Sequence, residues 1–252
     1  MRYLILSDVH SNLEAMRAVM AHASRKRRDG VLFLGDAVGY GAAPNQVVER
    51  LRMMGNVVRS VRGNHDRVVL DPTQGAVFFN NHARRAAAWT AELLTGANQR
   101  WLESLPVGPR EVEAGLEICH GSPADEDEYL FTEPEAQLAY GATEAKVIFF
   151  GHSNVPCMFE LTEQGGRQSV VGVLLRGSRV VIDLDPTRRY LINPGSVGQP
   201  RDRDARASYG LYDSEARRFT LYRVAYDVDA ARRRIMAAGL PPILGDRLLH
   251  GA

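Results

Sequence analysis

The sequence predicts an α/β fold with a largely parallel sheet in its first half and an antiparallel, β-rich second half. Up to residue 150, short apolar runs of strand length alternate with amphipathic helical stretches. That alternation is the pattern of βαβ units, with helices covering a parallel sheet. From residue 157 to 224, β-rich runs follow one another with turns and no helix between them. A third observation bears on function: the early apolar runs end in Asp, Asn or His.

Residues 3–7 read as a buried strand that ends in Asp8-Val9-His10. Ser11-Asn12-Leu13-Glu14 then reads as a capping box with Ser11 as N-cap. Leu13, Met16, Met20 and Ala23 recur at helical spacing, and Arg25, Lys26, Arg27 and Arg28 close that helix, where cations suit the dipole. Residues 31–34 are a second strand, ending in Gly35-Asp36. Pro44 opens a helix with Val47, Val48, Leu51 and Met54 on one face, and Gly55 stops it. A third strand, 57–61, ends in Arg62-Gly63-Asn64-His65-Asp66.

Residues 75–105 read as helix throughout, ended by Pro106. Strands at 116–119 and 147–150 end in His120-Gly121 and in Gly151-His152-Ser153-Asn154, with acidic residues 125–128 in a loop. The later strands are placed at 157–161, 169–175, 179–183, 189–192, 208–213 and 218–224. A last helix covers 227–238, with Asp227 near its cap and Gly239 after its end. No linker, repeat or low-complexity tract interrupts the chain. Residues 1–252 therefore read as one domain, with a helical insert at 75–105 and a C-terminal helix from 227.

A formal net charge of +1 disfavours a general nucleic-acid ligand, which calls for a basic surface. Arg25–28 and Arg232–234 lie on helices with apolar faces and read as solvated faces. Two cysteines without a CxxC motif argue against a disulfide-stapled secreted protein. Cys119 and Cys157 read as small buried residues. The N-terminal apolar run is too short for a signal peptide, and no stretch approaches the roughly 18 apolar residues of a membrane span. A cytoplasmic protein with no membrane partner is expected.

Parallel strands share one C-terminal edge, where ligands bind. The five strand ends would bring together Asp8, His10, Asp36, Asn64, His65, His120, His152 and Asn154. Each alone is an ordinary turn residue. Jointly, carboxylates, imidazoles and an amide oxygen suit a pair of divalent transition metals, which Asp36 would bridge. Such a pair activates water and clamps a phosphoryl group. Of the other histidines, His22, His82 and His250 lack motif context, and His82, after Asn80-Asn81, would overhang the pocket.

The ordered motifs Asp8-x-His10, Gly35-Asp36, Gly63-Asn64-His65-Asp66, His120-Gly121 and Gly151-His152-x-Asn154 resemble those of the calcineurin-like metallophosphoesterases. The resemblance spans about residues 3–225 and is closest to the compact prokaryotic phosphodiesterase and phosphatase branch. Asn193-Pro194-Gly195-Ser196-Val197, followed by Pro200-Arg201, also looks like that branch.

The resemblance implies a four-layer α/β/β/α sandwich in which two mixed sheets face each other. It implies Asp8 and His10 on a first metal, Asp36 bridging, and Asn64, His120 and His152 on a second. His65 would stand off the metals as general acid, oriented by Asp66. Arg201 would reach a substrate phosphate. The expected ions are two divalent metals, Mn, Fe or Zn.

One departure stands out. The family pattern ends in Gly-His-x-His, and position 154 is Asn here. An amide oxygen is a weaker donor than imidazole, so the first metal site is expected to be depleted or selective. The expected function is a dinuclear metal-dependent phosphoesterase, acting on a small phosphorylated substrate or a phosphoprotein. The competing reading, carried by Asn154, is a catalytically weak regulator that binds phosphorylated ligands. A homo-oligomer through an edge of the β-rich half stays open.

Overall fold

The structure is a computed structural model, in which residues 1–75 and 79–252 are described. In chain order the first half runs β1 (Arg2–Leu6), α1 (Leu13–Ala23), β2 (Gly30–Phe33), α2 (Pro44–Met53), β3 (Val58–Ser60) and α3 (Asn64–Leu70). Next come α4 (Asn81–Leu93), α5 (Gly96–Glu103), β4 (Arg110–Glu113), β5 (Leu116–Ile118), α6 (Glu133–Tyr140) and β6 (Val147–Phe149). The second half runs β7 (Cys157–Gln164), β8 (Arg167–Leu174), β9 (Arg179–Asp183), β10 (Arg189–Asn193), β11 (Ala207–Asp213) and β12 (Arg218–Val224). Two helices close the chain, α7 (Val228–Ala237) and α8 (Pro242–Asp246).

The strands form two six-stranded mixed sheets, ordered β3-β2-β1-β11-β12-β9 and β4-β5-β6-β10-β7-β8. Pairing is parallel for β1 with β2, β2 with β3, β5 with β6 and β6 with β10. The second-half strands pair antiparallel among themselves. They are shared between the two sheets, because β9, β11 and β12 extend the first while β7, β8 and β10 extend the second.

Side-chain alternation along β1 shows how the layers stack. Leu4 and Leu6 pack outward under α1, α2 and α7, with Met16, Val47 and Ile235. Tyr3 and Ile5 pack inward against Phe149 and Ile192 of the facing sheet. The outer face of that second sheet is covered by α6, whose Ala136, Ala139 and Tyr140 meet Ile148, Phe159 and Leu191. Three apolar layers thus separate four structural ones, in the expected α/β/β/α order. Among the described residues no helix is long and apolar enough to cross a membrane.

Several local expectations are corrected. The N-cap of α1 is Asn12, whose side chain accepts from the Ala15 N–H at 3.1 Å. Ser11 is held at φ +54 instead, with its N–H on the Ala37 carbonyl. The helix ends at Ala23, so Arg25–28 follow it rather than close it. Residues 75–105 are not one helix: α4 and α5 are separate, with Leu94 and Thr95 between them, and 76–78 lie outside the described residues.

The sequence reading also missed α3, α6, α8 and β4, all short elements whose periodicity has little room to show. The helix expected at 227–238 is α7, capped by Asp227. Its arginines are ion-paired, Arg232 with Asp246, Arg233 with Asp227 and Arg234 with Glu14.

Candidate active site

The loops after β1, β2, β3, β5 and β6 meet at one edge of the sandwich. Seven non-glycine residues in or beside them adopt positive φ: Asp8, His10, Ser11, Asp36, Tyr40, His152 and Asn154. This left-handed backbone is strained for L-residues and is concentrated where ligands bind. It turns side chains inward directly after a strand. Glycines make room for that packing. A Cβ on Gly63 would strike the Asp36 carboxylate and backbone, and one on Gly151 would strike Ser7 Oγ and Asp8.

Asp8, His10, Asp36 and His120 are each at most 1% exposed. His10 Nε2 lies 3.6 Å from Asp8 Oδ1 and 3.7 Å from Asp36 Oδ2. His120 Nε2 lies 3.4 Å from Asp36 Oδ2 and 3.1 Å from Asn64 Oδ1. The other ring nitrogens face backbone carbonyls, His10 Nδ1 on Val38 at 3.1 Å and His120 Nδ1 on Leu34 at 2.7 Å. A carbonyl only accepts, so each Nδ1 carries the hydrogen. Both Nε2 lone pairs are thereby turned toward carboxylate oxygens.

Lone pairs facing lone pairs repel unless a cation or proton lies between them. His10 Nε2 accordingly has no hydrogen-bond partner, and neither has the buried Oδ1 of Asn154. Two groups of ligand atoms are close enough to share an ion: Asp8, Asp36 and His120, and His10, Asp36 and His65. This mixture of oxygen and nitrogen donors fits divalent transition metals.

The electrostatics agree. Burial works against a charge on His120, but the Asp36 and Asp8 carboxylates override it and push its pKa up to about 10. In the metal-free cluster a proton thus takes the cation's place. Burial opposes the Asp36 charge too, yet His120, His65 and His10 hold its carboxyl well below the usual range.

Asn154 does not leave a void beside Asp8. Its amide donates to Asp8 Oδ1 at 3.1 Å and to the His152 carbonyl at 2.8 Å, which leaves Oδ1 as a free acceptor. His152 joins neither ligand group. Its Nε2 donates to the Asp127 carbonyl at 3.1 Å, so its lone pair is on Nδ1. Its ring lies 5.0 Å from that of His120 and stacks on Tyr129 at 3.9 Å.

Two expectations about the acid need correction. Asp66 does not orient His65. Its carboxylate accepts backbone N–H groups of Asp36 at 2.9 Å, Val38 at 3.2 Å and Gly63 at 3.1 Å. It fixes the Asp36 loop, and burial together with the Asp36 charge raises its pKa to about 7. His65 does not stand clear of the metal ligands, since it shares a group with His10 and Asp36. Its ring is wedged 4.9 Å from His10, 4.4 Å from Tyr40 and 4.3 Å from Phe79, with Nδ1 unpartnered. Burial holds its pKa well below the ordinary value.

Above the cluster opens a cleft of about 270 Å³, reached by Asn64, His65, His152 and Arg201. Sequence reading missed the remaining walls, Tyr40, Phe79, Tyr129 and Arg247. His82 is exposed and does not line it; Phe79, Asn80 and Ala83 do. The Asn193–Val197 stretch lies beneath. Asn193 donates to the Gly151 carbonyl at 2.6 Å and Ser196 Oγ to the Asp8 carbonyl at 2.8 Å. Cys119 and Cys157 are buried and apart from the site, and burial raises both thiol pKa values.

A two-sheet sandwich with a buried carboxylate–imidazole cluster at one edge defines a metal-binding hydrolase. Residues 1–217 match the calcineurin-like phosphoesterase superfamily domain, and the chain belongs to that metal-dependent superfamily as a phosphoric ester hydrolase. It is 37% identical to an uncharacterized protein of Methanocaldococcus jannaschii, over 98% of this chain and 97% of that one. It is also similar to the crystal structure of a metallophosphoesterase from Sphaerobacter thermophilus, at 37% identity, a TM-score of 0.84 and 100% coverage of both chains. A symmetrical bis(5′-nucleosyl)-tetraphosphatase of Pectobacterium carotovorum is 29% identical over 121 residues, 46% of this chain and 41% of that protein.

Proposed function

We propose that the protein is a dinuclear metal-dependent phosphoesterase that hydrolyses a small phosphodiester or phosphomonoester. The observation that carries this reading is Asp36, the one residue common to both ligand groups. In the split that the family resemblance implies, Asp8, His10 and Asn154 would hold one ion beside it and Asn64, His120 and His152 the other, with His65 left for the leaving group. The two groups themselves pair Asp8 with His120 and His10 with His65. Mn, Fe or Zn suits the donor set. When bound, such a pair supplies a nucleophile from water and neutralises the phosphoryl oxygens. With two carboxylates and two divalent ions the site carries about +2, so a nearly neutral chain presents a concentrated positive pocket.

The protein's own groups do the rest. Arg201 binds a phosphoryl oxygen from the cleft wall. His65 hands a proton to the departing oxygen. It rests neutral because burial disfavours its charge, and the negative charge of a bound phosphate beside it restores its basicity. The size of the cleft favours a small phosphorylated molecule over a folded phosphoprotein. The partial similarity to symmetrical bis(5′-nucleosyl)-tetraphosphatases supports the same chemistry at phosphoanhydrides. The reading as a regulator with an incomplete site rested on Asn154, and its free Oδ1 supports ligation instead.

The decisive experiment is His65→Ala with Mn²⁺. Metal content should match the native protein by elemental analysis. Turnover of alkyl phosphate esters should fall by about 10²–10⁴-fold, and turnover of nitrophenyl esters much less. Equal turnover of alkyl esters by both proteins overturns the assigned role.

A further inference from the structure

Among the described residues, two guanidinium groups line the cleft without an Asp or Glu side chain in a salt bridge, those of Arg201 and Arg247. Nearby arginines are paired with acids, Arg223 with Asp202, Arg206 with Asp204 and Arg234 with Glu14. Arg201 meets neutral groups, the Tyr40 hydroxyl at 3.3 Å, Gln199 Oε1 at 3.4 Å and the Tyr129 hydroxyl, and its buried Nε has no partner. Arg247 donates from Nε to the main-chain oxygen of Ala252 and has no Asp or Glu side chain in a salt bridge among the described residues. Both guanidiniums lie 5.8 Å from the ring of Tyr40. The same ring is 4.8 Å from His10 and 4.4 Å from His65. One aromatic side chain therefore touches both the ligand cluster and the arginine pair.

Like charges held together at a partly buried wall repel. Burial and the charge of Arg201 both disfavour the charge on Arg247, with Tyr40 opposing them. The acid acting on Arg201 is Asp8, which belongs to the ligand cluster. The fold nevertheless holds both arginines at one cleft, against the same Tyr40 ring. The Arg203 N–H donates to the Gly251 carbonyl at 2.8 Å, which ties the loop of Arg201 to the segment of Arg247. Gly251 sits at φ +60, and a Cβ there would lie 2.6 Å from the Asp204 backbone. Two guanidiniums fixed at one cleft wall without Asp or Glu side chains in salt bridges are a receptor for a multiply charged anion.

We propose that Arg247, beyond Arg201 on the cleft wall, forms a second phosphate subsite, so that the substrate carries a further phosphate linked to the one attacked. This deepens the phosphoesterase reading and rests on it. The substrate class is a chain of two or more phosphates, free or esterified to an organic group. In its hydrolysis the water oxygen joins the attacked phosphorus, the bridging P–O bond breaks, and the leaving phosphate keeps that electron pair. A phosphate leaves more readily than an alkoxide.

The test compares the native protein with Arg247→Ala and Arg247→Met, the latter keeping an aliphatic stem against Tyr40. Calorimetry on metal-free protein should show tripolyphosphate bound about tenfold more weakly by both variants. Orthophosphate affinity should change much less, and Arg247→Lys should recover part of the loss. Equal affinity of all the proteins for tripolyphosphate overturns the subsite. At fixed free Mn²⁺, kcat/KM for diadenosine tetraphosphate should fall at least tenfold more than that for p-nitrophenyl phosphate. If the native enzyme hydrolyses neither compound, the phosphoesterase reading fails, and the calorimetry still decides the subsite.

Discussion

The ligand cluster and the rim of the cleft adjoin each other, yet they are built in opposite ways. In the cluster, Asp8, His10, Asp36 and His120 are almost wholly buried, and both imidazoles are pinned by backbone carbonyls. At the rim, Tyr129, 41% exposed, stacks on His152, and Phe131, 56% exposed, stacks on Tyr129. The cluster residues sit just past strand ends, Asp8 and His10 after β1, Asp36 after β2 and His120 after β5. The rim is gathered from far-apart segments: Tyr40, Phe79, Tyr129, Arg201 and Arg247. The difference teaches a division of labour. Binding ions needs fixed donors and tolerates little change, so strands and strained turns supply them. Choosing a substrate needs a wall, which loops and a C-terminal segment can provide.

The largest expected effect lies in the cluster. Asp36 belongs to both ligand groups, and its Oδ1 also accepts the His65 N–H at 2.8 Å. Asp36→Ala should leave almost no bound metal by elemental analysis. It should lower kcat/KM for a nitrophenyl phosphate diester by about 10³-fold or more, over 4 kcal/mol of barrier. The rim substitution at Arg247 is expected to cost about tenfold. Equal losses at the two places would break the contrast between a cluster that does the chemistry and a rim that selects.

The same contrast governs what could be read from the chain. The layered fold was legible because β1, β2, β5 and β6 are short apolar runs that end in polar turns, and each delivers a side chain to the site. The cluster was legible for that reason too. Asn12 was not, because the cap position depends on Ser11 being turned to positive φ, which its composition does not announce. Asp66 was misread because its partners are backbone N–H groups, two of them on the Asp36 loop 28 and 30 residues earlier. Arg247 was invisible because it follows a five-residue helix and meets Tyr40 only through the tertiary fold.

A second prediction uses the cluster's electrostatics. The pKa of His120 is raised to about 10, so in metal-free protein near pH 8 its imidazole holds a proton. Burial keeps His65 and His152 neutral there, His152 down at about 3 with the His120 charge adding to the effect. Mn²⁺ binding at pH 8 should therefore release about one proton, and affinity should rise by about tenfold per pH unit from 7 to 9. Calorimetry in buffers of different ionisation enthalpy measures both. Stability moves the other way. A raised folded-state pKa stabilises the metal-free protein at low pH, and that contribution is lost as pH rises toward 10. The metal-free Tm should thus fall from pH 7 to 9 while metal affinity climbs. Flat affinity over this range would show that no proton occupies the cation's place.

The smallest effect is expected at the boundary between the two regions. Asn154 adopts φ +59, and His152 two residues earlier adopts φ +63, so the backbone here already accommodates a histidine in that conformation. Asn154→His exchanges an amide oxygen for an imidazole nitrogen and gives up the amide hydrogen bond to Asp8. The stronger donor should raise Zn²⁺ affinity at the first site several-fold, read by competition with a chelator of known affinity. Activity should change less than affinity, because Asp36 and His120 are untouched. A weaker ion hold in the variant would mean that the amide bond on Asp8, which orients that carboxylate, contributes more than the donor exchange gains. Asn154 would then be a positioning residue for Asp8, and the departure from the family pattern would tune the cluster rather than deplete it.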